Sequence, residues 1–173
     1  IDGDGSIGVD LTNLEKIDTD ITGVELKRGS GSLYIVDGET ILKVKDDYGN
    51  PGLENSGSWE GGSFSAVGYA AEKKEDGNYV LVIKFTESCT DNYFNDGSNT
   101  NNGETEERQA MSAYEIHTIN SSGILDWQYT TFTTSISSYE PILGQDIDGD
   151  GSIGVDLDTC LLYTSPSPRD IGE

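Results

Sequence analysis

From about residue 22 onward, apolar and polar side chains alternate with a period of two, the signature of strands with one face buried. Val24 and Leu26 alternate with Glu25 and Lys27, Gly29-Ser30-Gly31-Ser32 reads as a turn, and residues 33–36 read as a short strand. Asp37-Gly38 then separates two β-prone runs, a hairpin signal because the turn that matches strand twist needs positive φ. Leu42 and Val44 lie on the far arm. Residues 46–62 read as a loop rich in Gly, Asn and Ser with Pro51, and it carries Trp59. Residues 64–75 and 79–87 are predicted strands joined at Asp76-Gly77. In the second of these Tyr79, Leu81, Ile83 and Phe85 share one face while Val80 and Val82 make the other apolar, so this strand is expected at the centre of a sheet. A last pair, 111–120 and 124–134, turns at Ser121-Ser122-Gly123, and Thr130, Thr131, Thr133 and Thr134 favour strand by β-branching. The fold class expected is all-β, an antiparallel meander of about seven or eight short strands in a two-layer or strongly twisted sheet, flanked by calcium-binding loops.

Two stretches break the alternation. Residues 11–20 are polar with a weak pattern at Leu11, Leu14 and Ile17, enough for one helical turn, and residues 137–145 are expected to form another. Residues 88–108 are too charged and too rich in Asn and Gly to pack, and read as a surface insertion. Trp59 and Trp127 are expected in the core or at its edge.

The densest chemistry lies at Asp146-Ile147-Asp148-Gly149-Asp150-Gly151-Ser152. Carboxylates at alternate positions ahead of a glycine can converge on one cation, as in a calcium loop of the EF-hand type. Asp146, Asp148 and Asp150 supply side-chain oxygens, Gly151 makes the sharp turn, Ser152 ligates through its carbonyl, and Gly154 and Asp156 complete the proposed set. Where that pattern asks for an acidic twelfth residue the chain has Leu157, with Asp156 and Asp158 on either side. An all-oxygen set with mixed ligands suits Ca²⁺ better than Mg²⁺, which demands near-octahedral geometry.

The same string opens the chain. Ile1 through Leu11 is identical to Ile147 through Leu157, an offset of 146 residues. Such an identity marks an internal repeat, so the chain reads as one unit of an array cut inside a loop. The first copy offers Asp2, Asp4, Ser6 and Asp10 but lacks the leading Asp, and weaker binding is expected there. The expected domain organisation is a partial calcium loop and connector at 1–20, an all-β repeat domain at 21–145, a calcium loop that begins the next repeat at 146–158, and a tail at 159–173. The tail is set aside as non-native: Cys160 to Asp170 resembles, codon for codon, the translation of a transposase-type sequencing adapter. That leaves Cys89 as the one genuine cysteine, with no intrachain disulfide available to it.

The chain of 173 residues carries 32 Asp and Glu against 10 Lys and Arg, a net charge of −22. That balance repels nucleic acid and anionic membrane surfaces. It suits a cation-loaded protein outside the cell. No apolar run approaches the roughly 20 residues of a membrane helix. Nucleophilic hydrolysis needs a base to activate Ser or Cys, and the chain offers one histidine, His117. That residue is expected as an exposed or half-buried strand position. Glu104, Glu106 and Glu107 fall in the polar insertion, a poor setting for paired-carboxylate glycoside cleavage. No enzyme activity is expected.

The segments Trp59-Glu60-Gly61-Gly62, Tyr69-Ala70-Ala71-Glu72, Asp76 to Lys84, Tyr114-Glu115-Ile116 and Gly123-Ile124-Leu125-Asp126-Trp127, followed by Tyr139-Glu140 and Gly144-Gln145-Asp146, occur in an order similar to the tryptophan-rich repeat domain of large secreted bacterial proteins. The resemblance covers roughly residues 59–154 and departs at the 88–108 insertion. It implies an extracellular, calcium-dependent module found beside haemolysin-type calcium repeats, with no defined activity. The function expected is therefore a structural repeat of a giant secreted or cell-surface protein whose partners are neighbouring repeats, joined by calcium-rigidified loops. The alternative is an adhesion module that binds carbohydrate or another surface ligand through Trp59 and Trp127. A dockerin-like role fits less well, because dockerins carry two such loops within one short helical unit.

Overall fold

The structure, a computed structural model, describes residues 13–18, 23–89 and 111–155. Nine strands form among them, in two antiparallel sheets. The first sheet has the order β1 (Glu15–Lys16), β2 (Glu25–Gly29), β3 (Ser32–Asp37) and β4 (Thr40–Lys43). The second has the order β5 (Asn55–Trp59), β6 (Gly62–Lys73), β7 (Tyr79–Cys89), β8 (Met111–Ile119) and β9 (Leu125–Thr133). Both are meanders, with consecutive strands paired in chain order. The chain divides into two compact units, Ile1–Ser135, which holds both sheets, and Ile136–Glu173.

Turn chemistry sets the registers. Ser30 and Gly31 both take positive φ, 49° and 71°, and Gly29 pairs with Ser32 across them. The next hairpin turns at Gly38-Glu39, one residue past the expected position, with Asp37 paired to Thr40. The β6–β7 loop closes with the Gly77 N–H donating to the Lys74 carbonyl at 3.0 Å, and Gly77 sits at φ 84°.

The two sheets of the first unit share one core. Val24, Leu26, Leu33, Ile35 and Val44 from the first sheet and its flanks pack with Ala71, Tyr79, Leu81, Ile83, Ile119 and Leu125 from the second. Strand β7 lies at the middle of its sheet, as its two apolar faces predict, and Val80 and Val82 are buried as well as Leu81 and Ile83.

Three expectations are corrected and one is narrowed. Within the presumed 46–62 loop, Asn55–Trp59 is a strand paired with β6 around the Glu60-Gly61 turn. Its Ser- and Gly-rich sequence hides it, because Gly57 is there to let the Phe64 ring lie against bare backbone. In the connector, Glu15–Lys16 is a short strand rather than a helical turn. The Ile17 N–H donates to the Leu26 carbonyl at 2.9 Å and the Asp18 carboxylate accepts the Leu26 N–H at 2.7 Å, so pairing with β2 overrides weak local helix preference. Trp59 and Trp127 are 46% and 49% exposed, at the edge of the core rather than within it. His117 is 2% exposed, not a surface residue. Where it sits, the β8–β9 register jumps from Ile116↔Thr131 to Thr118↔Asp126, and the extra β9 residues bulge over it.

Candidate metal centre

The second unit begins with Ile136 and includes a single helical turn, α1 (Glu140–Leu143), the turn expected over 137–145. Pro141 suits its first turn, where a missing N–H costs nothing. Gly144 ends it in the left-handed region at φ 65°, its N–H returning to the Glu140 carbonyl at 2.8 Å. The acidic loop follows immediately. Gly149, Gly151 and Gly154 take φ of 81°, 90° and 102°, which bends the backbone in steps that side-chain-bearing residues resist.

Each loop carboxylate folds a piece of that backbone around itself. Asp146 Oδ1 accepts the Gly149 N–H at 2.7 Å and its Oδ2 the Gly151 N–H at 2.9 Å. Asp148 Oδ1 accepts the Asp150 N–H at 3.1 Å, and its Oδ2 the Ser137 hydroxyl at 2.9 Å. Asp150 Oδ1 accepts the Ser152 N–H at 2.7 Å. These are Asx-type turns in series, and they hold the side chains at fixed angles.

Beneath the loop lies Glu140, with no exposed surface. Its Oε1 accepts the N–H groups of Ile147 and Asp148 at 2.7 and 3.1 Å, and Oε2 that of Gly154 at 2.8 Å. A buried carboxylate is tolerated when several N–H donors replace its water. Here one charge ties the loop's beginning to its end.

Carboxylate oxygens of Glu140, Asp146 and Asp148 lie within 4.8 Å of one another. Three negative charges at that spacing repel, and each carboxylate keeps at least one lone-pair site beyond the hydrogen bonds it accepts, so the group can hold a metal ion. The donors are all oxygen, the set preferred by hard divalent cations. Of the residues singled out from sequence, Asp146 and Asp148 belong to this convergent group. Asp150 is not one of the three, and Ser152 and Gly154 are placed in the loop as amide donors to Asp150 and Glu140. Asp156 lies outside the described residues, as do Asp2, Asp4, Ser6 and Asp10 of the first copy, most of the 88–108 insertion and the whole 159–173 tail. Glu140 was absent from the ligand set drawn from sequence. Its signal was an acidic residue in the turn six positions ahead of Asp146, without any motif spacing to connect the two.

His117 forms a second cluster, in the first unit. Its Nδ1 lies 3.0 Å from the Thr130 hydroxyl, its Nε2 lies 3.2 Å from Glu115 Oε2, and the Trp127 indole meets it edge-on at 5.8 Å. Burial pushes its pKa below the ordinary imidazole value, and Glu115 opposes that only in part. With both nitrogens engaged, the ring pins the β9 bulge to β8. The Trp127 indole N–H in turn donates to Asp47 at 3.0 Å.

No family model, curated protein or solved structure matches the chain. No helix among the described residues is long and apolar enough to cross a membrane.

Proposed function

We propose that the chain is a calcium-binding structural repeat of a large secreted or cell-surface bacterial protein, and that Ca²⁺ held at the acidic loop stiffens the joint between one repeat and the next. The observation that carries this reading is the convergence of Glu140, Asp146 and Asp148 on a loop whose sequence recurs at the start of the chain. A bound divalent ion offsets the repulsion among the three and leaves the backbone turns as they are. With partly exposed ligands, affinity is expected at about 10⁻⁴ to 10⁻³ M, the range of extracellular modules. The similarity to tryptophan-rich repeats beside haemolysin-type calcium repeats supports the same placement.

Calorimetric titration with Ca²⁺ tests it, comparing the native chain with Asp148→Ala and Asp150→Ala. The native chain is expected to give a saturable heat and a raised Tm, and Asp148→Ala to lose both. Small-angle scattering of a protein of two consecutive repeats should show the mean distance between them change on adding Ca²⁺. Absence of heat, of a Tm shift and of any scattering change would leave the reading without support.

Half-exposed Trp59 favours a second reading, an adhesion module for surface glycans, whereas Trp127 is tied by its indole N–H to Asp47 and by its edge to His117.

A further inference from the structure

We propose that the end of the five-stranded sheet beyond the shared core binds a neutral oligosaccharide, with Trp59, Phe64 and Phe85 as a stacking floor and the Arg28–Glu54 pair beside Asn55 as its polar wall. This gives the adhesion reading a site and is independent of the calcium reading. It rests on a mismatch in strand length. Strands β6 and β7 run for 12 and 11 residues, whereas no strand of the four-stranded sheet exceeds 6. The shorter sheet covers the Tyr79, Leu81 and Ile83 end of the inner face. Directly paired residues share a face, so the inner face continues past that cover along Ala66↔Phe85 and Gly57↔Phe64, and then Trp59↔Gly62.

On this strip, beyond the core shared with the four-stranded sheet, the aromatic rings lie nearly parallel. Trp59 and Phe64 have centroids 6.5 Å apart at 29°, and Phe64 and Phe85 6.1 Å apart at 23°. The glycines explain the flatness. A Cβ on Gly57 would run into the Phe64 ring and one on Gly62 into the Trp59 indole, so both rings rest on bare backbone. An interior would interdigitate its side chains. A flat row of rings, half-exposed at Trp59 and partly buried at Phe64 and Phe85, instead matches the apolar face of a pyranose ring.

The strip leads to an open pocket of about 330 Å³ lined by Arg28, Glu54, Asn55 and Ala66 among others. Ala66 is both two positions from Phe64 on the same face and paired with Phe85. The volume lies within the range of small-molecule sites, roughly 300–1,000 Å³. Its polar groups are held in place: Arg28 Nε and Nη2 donate to Glu54 at 2.7 and 2.6 Å, and the Gly68 N–H donates to Glu54 Oε1 at 2.7 Å. Guanidinium, carboxylate and amide together offer the donors and acceptors that sugar hydroxyls require. Charge selects within the class, since 32 acidic residues against 10 basic ones repel acidic glycans. The same argument weighs against a second copy as occupant. Glu87 and Glu115 lie in the Phe64 and Ile83 rows, and two like faces would bring their carboxylates together.

The test is a fluorescence titration of the full chain in EDTA, on a Trp127→Phe background that leaves Trp59 as the sole indole. The probes are the hexasaccharides of cellulose, xylan, mannan, amylose and chitin, at up to millimolar concentration. A saturable change is expected with at least one, weakened about tenfold by Phe64→Ala, and a calorimetric titration should show binding retained in Trp59→Phe. Circular dichroism and melting curves establish that the variants fold. The proposal is overturned if no probe gives a saturable change, if binding survives Phe64→Ala unaltered, or if sedimentation reveals a dimer that Trp59→Ala abolishes. Because calcium is chelated throughout, none of these outcomes bears on the metal centre.

Discussion

The buried carboxylate of Glu140 accepts the N–H of Gly154 at 2.8 Å, fourteen residues along the chain. With Ile147 and Asp148 on its other oxygen, this closes the acidic segment into a ring around one side chain. The loop's shape thus depends on a residue outside it.

Replacing that residue tests the dependence. Glu140→Gln keeps the volume but turns an amide NH₂ toward backbone N–H groups, leaving donors buried without an acceptor. A loss of about 1.5–3 kcal/mol in the stability of the loop is expected. Hydrogen exchange should show faster amides at Ile147, Asp148 and Gly154, and Ca²⁺ affinity should fall with them.

Gly154 is constrained from the other side. Its φ of 102° disfavours any side chain, and a Cβ would stand 3.1 Å from the Pro141 ring. Gly154→Ala is expected to destabilise by about 1–3 kcal/mol, read as a lower Tm and as faster exchange at residue 154.

His117 predicts a pH dependence. Burial depresses its folded pKa, with Glu115 drawing it partly back. The unfolded chain therefore binds the proton more readily, near the ordinary value of about 6.5. The contribution to stability is complete above that pH and declines as pH falls below it, toward the folded value. Urea midpoints measured across this range should slope downward in the native protein, and His117→Gln should remove that part of the slope.

Glu54 contributes to the acid limb. Burial alone would raise its pKa, but the Arg28 guanidinium and the Gly68 N–H outweigh that and hold it below the usual carboxylate range. Stability from this pair is present above the unfolded value of about 4.3 and is lost as pH falls through the lower folded value. Glu54→Gln is expected to cost about 1–2 kcal/mol at neutral pH, since the pair is partly exposed and screened. Its denaturation curve should show a shallower decline on acidification.

Gly62→Ala probes the aromatic strip. The added methyl would meet the Trp59 indole and lie 2.7 Å from the Ser88 carbonyl oxygen. The indole must lift, and the clash with the carbonyl of the paired strand strains the β6–β7 pairing as well. A shift in Trp59 emission and a lower Tm are expected, read against Trp127→Phe to isolate the signal.

Alternation along the chain made the hairpins legible, because a period of two and a glycine at a positive-φ turn are local properties. Tyr79 to Phe85 announced a central strand by having two apolar faces. Strand β5 is not legible in this way, because its Asn55-Ser56-Gly57-Ser58 run has turn composition and becomes a strand by pairing with β6, where the Phe64 ring lies over Gly57. Nor is the burial of His117, which is shielded by β9 residues that a register jump pushes over it. At the acidic loop, spacing picked out Asp146 and Asp148, while Glu140 followed no spacing rule.

What the sequence determined by itself was the all-β class, the meander order, the turns and the acidic loop, since each follows from contacts between residues near in the chain. The tertiary structure decided which carboxylates converge, which indoles reach solvent and where the longer sheet outruns the shorter. Those outcomes depend on register and on side chains brought together from distant positions, and neither is encoded in any one stretch.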